Sequence, residues 1–191
     1  MVGKIESDGA PRQVRADAQR NEDAVLEAAK TVFATSGVDA PVREIAAQAG
    51  VGIATLYRRF PKRSDLIAAV FRREVDACAA AAGALAAEHP PEQALALWLK
   101  RFQAFIGTKK GLAAALHSGD SAYAALPGYF RSNFEPVLQG LIRAASATIR
   151  QDIDAYDLLR AIGNLAVAHD DDGAAHADRM LDLLIDGLRS R

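Results

Sequence analysis

The chain has almost no cysteine, and its single thiol, Cys78, cannot close an internal disulfide. Alanine-rich surroundings point to a buried structural thiol rather than a reactive one, which is consistent with a cytoplasmic protein. Long apolar runs are missing too. The least polar stretch, Ala77 to Ala87, is mostly alanine, carries Gly83 and falls well short of the roughly 20 apolar residues of a membrane span. The first residues hold Lys4, Glu6, Asp8, Pro11, Arg12 and Arg15 with no apolar run between them, unlike a secretory signal. A soluble, cytoplasmic chain with no membrane partner is therefore expected. Strand-like alternation is also lacking, so the expected class is all-α. Neither a glycine-rich phosphate loop, nor a nucleophile with its base, nor a defensible pair of carboxylates is present, so no enzyme and no cofactor is expected. His169, Asp170, Asp171, Asp172 and His176 lack a spacing that would fix metal ligands on one face, and they read as an interhelical loop.

What is present is an ordinary globular composition, 50% hydrophobic and 25% charged, over 191 residues. That suffices for a small N-terminal domain beside a larger second one. The net charge of −1 conceals a segregation. Residues 1–73 hold 12 basic and 9 acidic side chains, whereas the remainder holds 11 and 15. Between Arg43 and Arg73 the basic set is Arg43, Arg58, Arg59, Lys62, Arg63, Arg72 and Arg73, against only Glu44 and Asp65. Such a cluster is either a solvated face or a footprint for phosphates.

Residues 1–17, with Gly3, Gly9 and Pro11, read as a polar, mobile arm. Helical periodicity then begins: Val25, Ala28, Ala29, Val32 and Phe33 share a face, and Gly37 provides a left-handed cap. A short helix is expected over Val42 to Ala49, ended by Gly50, and another over Ile53 to Phe60, closed by Pro61. A long helix starts near Arg63 and buries Leu66, Ile67, Val70 and Phe71. His89-Pro90-Pro91 breaks it, and the next helix carries Trp98, Phe102 and Phe105. Further breaks are expected at Gly107 to Gly111, Gly119 and Leu126-Pro127-Gly128, around a short helix near Leu112 to Leu116. A helix with Phe130, Phe134, Leu138, Leu141 and Ile142 follows, Pro136 falling in its first turn or at a kink. Two more helices, around Tyr156 to Ala168 and Ala175 to Arg189, close the chain. The expected domains are residues 18–64 and 65–191.

The segment from Val42 to Phe60 carries the functional signal. Two short helices meet at a glycine turn, with Ala46, Ala49 and Ala54 small enough for a close crossing and Ile45, Val51 and Leu56 filling the space between. This is a helix-turn-helix pattern, whose second helix fits the major groove of duplex DNA. Arg58, Arg59, Lys62 and Arg63 lie at or just beyond that helix, placed for phosphates or for guanine. The competing reading is a helical hairpin of an unrelated bundle, with Tyr57 and Phe60 as core aromatics. Exposure of Thr55, Tyr57, Arg58 and Arg59 separates the two.

From Asn21 to Phe71 the sequence resembles the TetR family of transcriptional regulators. The resemblance rests on Ala28-Ala29-Lys30-Thr31-Val32-Phe33 followed by Gly37, on Val42-Arg43-Glu44-Ile45-Ala46, and on Ala49-Gly50-Val51. It continues through Thr55-Leu56-Tyr57-Arg58-Arg59-Phe60-Pro61 and Asp65-Leu66. It implies that Thr55 to Phe60 form the recognition helix and its end, that Tyr57 touches the DNA backbone, and that Arg63 replaces a customary phosphate-binding lysine. Arg43, Gly52, Ile53, Ala54, Thr55, Tyr57, Arg58, Arg59, Lys62 and Arg63 are the expected DNA-facing set. Three departures stand out: Pro41 in place of a capping threonine, for which Asp39 or a backbone amide would substitute; Gly52 in place of a serine; and Ile53 where a polar residue is frequent, a candidate for thymine methyl contact.

The resemblance further implies a homodimeric repressor on a double-stranded DNA operator, released by a small apolar or aromatic effector. Leu158, Ile162, Leu165, Met180, Leu181, Leu184 and Leu188 are the dimer candidates, with intramolecular core as the alternative. Trp98, Phe102, Phe105, His117, Tyr123, Phe130 and Phe134 are the effector-pocket candidates, again against a core reading. A different class of function, a helical ligand-binding or scaffold protein that never meets DNA, stays open at this point.

Overall fold

The glycines and prolines that punctuate the sequence recur as helix boundaries in the computed structural model, which describes residues 10–107, 119, 121–166 and 173–190. The described residues form eight α-helices: α1 (Ala10–Ser36), α2 (Val42–Gln48), α3 (Ile53–Arg59), α4 (Arg63–Glu88), α5 (Pro91–Gly107), α6 (Leu126–Ala144), α7 (Ala155–Ala166) and α8 (Gly173–Gly187). A 3₁₀ turn spans Ser121–Tyr123, and the only β pairing among the described residues is an isolated bridge between Ile149 and Arg189. The expected short helix near Leu112 to Leu116, His117 and the Asp170 to Asp172 run lie outside the described residues. No described helix is long and apolar enough to cross a membrane.

The chain divides into two compact units, residues 1–70 and 71–191, with α4 running through the division. In the first unit, α1 buries Val25, Leu26, Ala29, Val32 and Phe33, and α2 and α3 add Ile45, Ala46 and Leu56. The helix begins at Ala10, so the expected mobile arm over residues 1–17 is corrected for residues 10–17. Proline breaks a helix from within but suits its first turn, and no glycine or proline follows Pro11 until Gly37.

Arg63 also departs from expectation. Its guanidinium donates to the carbonyl oxygens of Val38 and of Ala40, the latter at 2.6 Å, and so ties the start of α4 to the α1–α2 connection. Half-buried and bonded to two carbonyls, it supports the first unit from within, a role that the resemblance did not imply. Arg63→Ala should lower stability by about 1.5–3 kcal/mol, the usual range for hydrogen bonds to a charged group. Lysine, with one ammonium instead of a fork, should restore only part. Denaturant unfolding of the two variants checks this, and two wild-type-like curves would refute it.

In the second unit, α5 is apolar over much of its circumference because neighbours surround it. Ala94, Leu95, Trp98, Leu99, Phe102 and Phe105 are all buried. The indole N–H of Trp98 donates to the Cys78 carbonyl at 3.0 Å, satisfying its one polar atom in the core. The Cys78 side chain is buried and in no disulfide, as its surroundings suggested. α6 starts at Leu126 rather than after Gly128 and carries Pro136 in its interior. The Leu126-Pro127-Gly128 run is thus a helix start and not a break, again because proline fits a first turn. At the far end Arg150 N donates to Leu188 O at 2.9 Å and Ser190 N to Thr148 O at 2.8 Å, clamping the end of α8 to the α6–α7 connection.

Candidate nucleic-acid interface

The geometry of the turn between α2 and α3 follows from Gly50. Its φ of +67° lies in the left-handed region, which a side chain disfavours. Val51 N donates to Ala46 O at 3.0 Å and Gly50 N to Ala47 O at 3.2 Å, the paired bonds of a Schellman motif. That closure reverses the chain within a few residues and sets α3 across α2. At the other end, Pro61 holds Phe60 at φ −126°, ψ 83°, and the helix stops at Arg59.

Within α3 the two faces separate cleanly. Leu56 and, just after the helix, Phe60 are buried. Ile53 and Tyr57, one turn apart, are 47% and 48% exposed. Gly52, Ala54, Arg58, Arg59 and Lys62 are exposed, as is Arg43 on α2, while Thr55 is half-buried. Tyr57 is therefore not a core aromatic, and the hairpin reading that required it to be one fails. An Arg58 Nη lies 3.5 Å from Thr55 Oγ1, a weak tether along the same helix.

Two of the basic residues have local partners. Arg59 makes a two-pronged pair with Glu22 of α1, at 2.9 and 2.8 Å, and the carboxylate raises the guanidinium pKa above its ordinary value. This pair spans the rim of an apolar groove of about 380 Å³ between α1 and α3, lined by Val25, Leu56 and Phe60 among others. Its Arg59 side is exposed to solvent, which screens the pair, while Glu22 is half-buried. The Lys62 backbone N–H is capped by the Asp65 carboxylate at 3.1 Å, half of a capping box that starts α4 and leaves the ammonium group in solvent. The N-cap of α2, Pro41, supplies no side-chain bond.

The profile of bacterial regulatory proteins of the tetR family matches residues 25–70, and that of the C-terminal domain of SbtR-like transcriptional regulators matches residues 90–190, over half of the chain. The chain belongs to the TetR family. A solved TetR transcriptional regulator from Streptomyces coelicolor is 40% identical and superposes with a TM-score of 0.74 over 88% of this chain and 98% of its own. The TetR-like regulator LfrR from Mycobacterium smegmatis, solved in complex with proflavine, is 25% identical with a TM-score of 0.62, over 89% and 94% of the two chains. An HTH-type transcriptional regulator of Staphylococcus aureus strain USA300 is 38% identical over 64 residues, so this TetR-family chain spans only 35% of the length of that curated relative.

The other two residue sets fare differently. Six of the seven effector candidates lie among described residues, and five form one ring cluster. Trp98 stacks on Phe102 at 5.6 Å, and Phe134 meets Phe102, Phe105 and Phe130 edge-on at 5.1, 5.3 and 4.9 Å. Trp98, Phe102, Phe105, Phe134 and Tyr123 are buried and Phe130 is half-buried, so these rings largely fill one another. Of the dimer candidates, Leu158, Ile162, Leu181 and Leu188 are buried within the chain's own second unit and are corrected to intramolecular core. Leu165, Met180 and Leu184 stay half-buried. Leu183, which is not among the sequence candidates, is 64% exposed. Each of α7 and α8 has one broad apolar face, and periodicity alone cannot assign which part of it the chain's own core covers. Among the described residues no cluster of three metal-ligating side chains occurs.

Proposed function

We propose that this TetR-family protein binds a partly palindromic duplex operator as a homodimeric repressor, released by a small apolar or aromatic molecule. The observation that carries the reading is the outward face of α3. Ile53, Tyr57 and Arg58 project from a helix whose opposite side is buried, immediately after a turn locked by Gly50, and Lys62 lies exposed just beyond its end. A helix so presented can enter the major groove, with the cations on flanking phosphates. The mechanism is competitive in its electrostatics: phosphates would exchange with Glu22 for Arg59 and find Arg58 and Lys62 already in solvent.

Two reading heads require a partner, and the partly exposed stripe of Met180, Leu183 and Leu184, with Leu165 of α7, is the apolar surface offered for it. Leu183→Asp is expected to convert a dimer to monomer in analytical ultracentrifugation with the helical content unchanged. A wild-type chain that sediments as a monomer at all concentrations would remove this part of the proposal. The effector class rests on the Mycobacterium smegmatis relative, which was solved in complex with proflavine. A ligand releases DNA only by preferring one spacing of the heads over another.

Selection of bound duplexes from a random pool tests the whole. An enriched inverted repeat is expected. No enrichment would favour the other class of function, a ligand-binding or scaffold protein that never meets DNA.

A further inference from the structure

Among the described residues only three large hydrophobic side chains are strongly exposed, and two of them, Ile53 and Tyr57, sit four residues apart on the same face of α3. Apolar side chains held in water beside Arg58 and Lys62 are a poor match for phosphates alone. They are suited to a partner that sets an apolar group inside a polyanion. Duplex DNA has one such group on its major-groove edges, the 5-methyl of thymine.

The side chains around Ile53 narrow this further. Gly52 adopts φ −66° and ψ 141°, a conformation open to any residue, and a Cβ there would meet only Thr55 Oγ1 at 3.8 Å. Neither backbone strain nor crowding therefore requires glycine at position 52; what its missing side chain provides is a low profile beside Ile53. Ala54 is likewise small and exposed. Between them Ile53 is the sole protruding group, and Gly52, Ile53 and Ala54 offer no side-chain hydrogen-bond donor or acceptor to a base edge. These three side chains can discriminate bases only by van der Waals contact, for which a methyl group is the fitting partner. One turn on, the Tyr57 ring continues the apolar strip and ends in a hydroxyl able to reach a phosphate.

We infer that Ile53 is a specificity-determining residue that reads thymine through its 5-methyl group, so that the operator half-site carries a thymine at the step facing the first turn of α3. The inference rests on the DNA-binding reading above, and its test separates the two. In the duplex enriched by selection, each thymine is replaced singly by deoxyuridine, which removes the methyl and nothing else. Affinity is measured by fluorescence anisotropy for the wild type and for Ile53→Ala. The wild type should lose about three- to fivefold at one or two positions of each half-site, as expected when a single buried methyl is withdrawn. Ile53→Ala, a surface change that leaves the fold intact, should bind more weakly and be indifferent to deoxyuridine at those positions.

Undiminished wild-type affinity for every deoxyuridine duplex would overturn the role of Ile53 while leaving DNA binding intact. A deoxyuridine penalty that persists in Ile53→Ala would likewise overturn it, assigning the methyl to another side chain. Failure to bind any duplex would overturn both readings.

Discussion

Replacing Arg58 and Lys62 together with alanine is expected to weaken operator binding by about 10- to 100-fold, the larger loss appearing at low salt. Both side chains are exposed, Arg58 on α3 and Lys62 just beyond it, so the fold should be largely unaffected. Every phosphate neutralised by a protein cation adds about 0.9 to the steepness with which log affinity falls against log salt. The double variant should therefore show a slope shallower by about two for each reading head, and the same change should appear on any duplex, because phosphates carry no sequence information. Fluorescence anisotropy between about 50 and 200 mM salt, the range over which such pairings weaken most visibly, gives both quantities. An unchanged slope would mean that these cations face solvent only. Arg59 is the instructive contrast: its guanidinium is held by Glu22, and its contribution is reduced by the exchange of one anion for another.

A large effect on stability is expected from Phe102→Ala. The ring is completely buried and lies within 5.1 to 6.1 Å of Trp98, Phe105, Phe130 and Phe134. Removing it costs the transfer free energy of the ring plus the cavity left among partners that cannot all close in, about 3–5 kcal/mol. For a chain of this length each kcal/mol moves the midpoint by about 2–4 °C, so the thermal midpoint should fall by roughly 6 to 20 °C. Phe102→Leu should cost markedly less, because most of the volume is kept. If alanine at this position shifted the midpoint by less than about 2 °C, the ring would have to line open space, and the effector reading of the cluster would gain at the expense of the core reading.

How far the sequence foretells the molecule depends on whether local or tertiary forces decide each feature. The α2–turn–α3 unit is legible because local chemistry dominates there: Gly50 at positive φ, Pro61 after Phe60, and a strict division between buried Leu56 and exposed Tyr57. The beginnings of α1 and α6 escape for one shared reason. Pro11 and Pro127 look like breakers in the sequence, whereas a proline in the first turn, where its missing N–H has no partner in any case, starts a helix.

Arg63 is matched to DNA by resemblance, yet its carbonyl partners Val38 and Ala40 lie 25 and 23 residues away in sequence. No local pattern encodes those bonds. The outer stripe of α8 is obscured in a related way. Met180, Leu181, Leu184 and Leu188 share one broad apolar arc on a helical wheel, and only packing against the rest of the second unit sorts Leu181 and Leu188 inward and leaves Leu183 outside.

The most direct test is the salt dependence of binding to the selected duplex, for the wild type and for Tyr57→Ala. The account predicts affinity that falls by orders of magnitude as salt rises, together with a severe loss on replacing Tyr57, at unaltered helical content. A complex indifferent to ionic strength, or one that binds equally well without the Tyr57 ring, would contradict the claim that the outer face of α3 meets DNA.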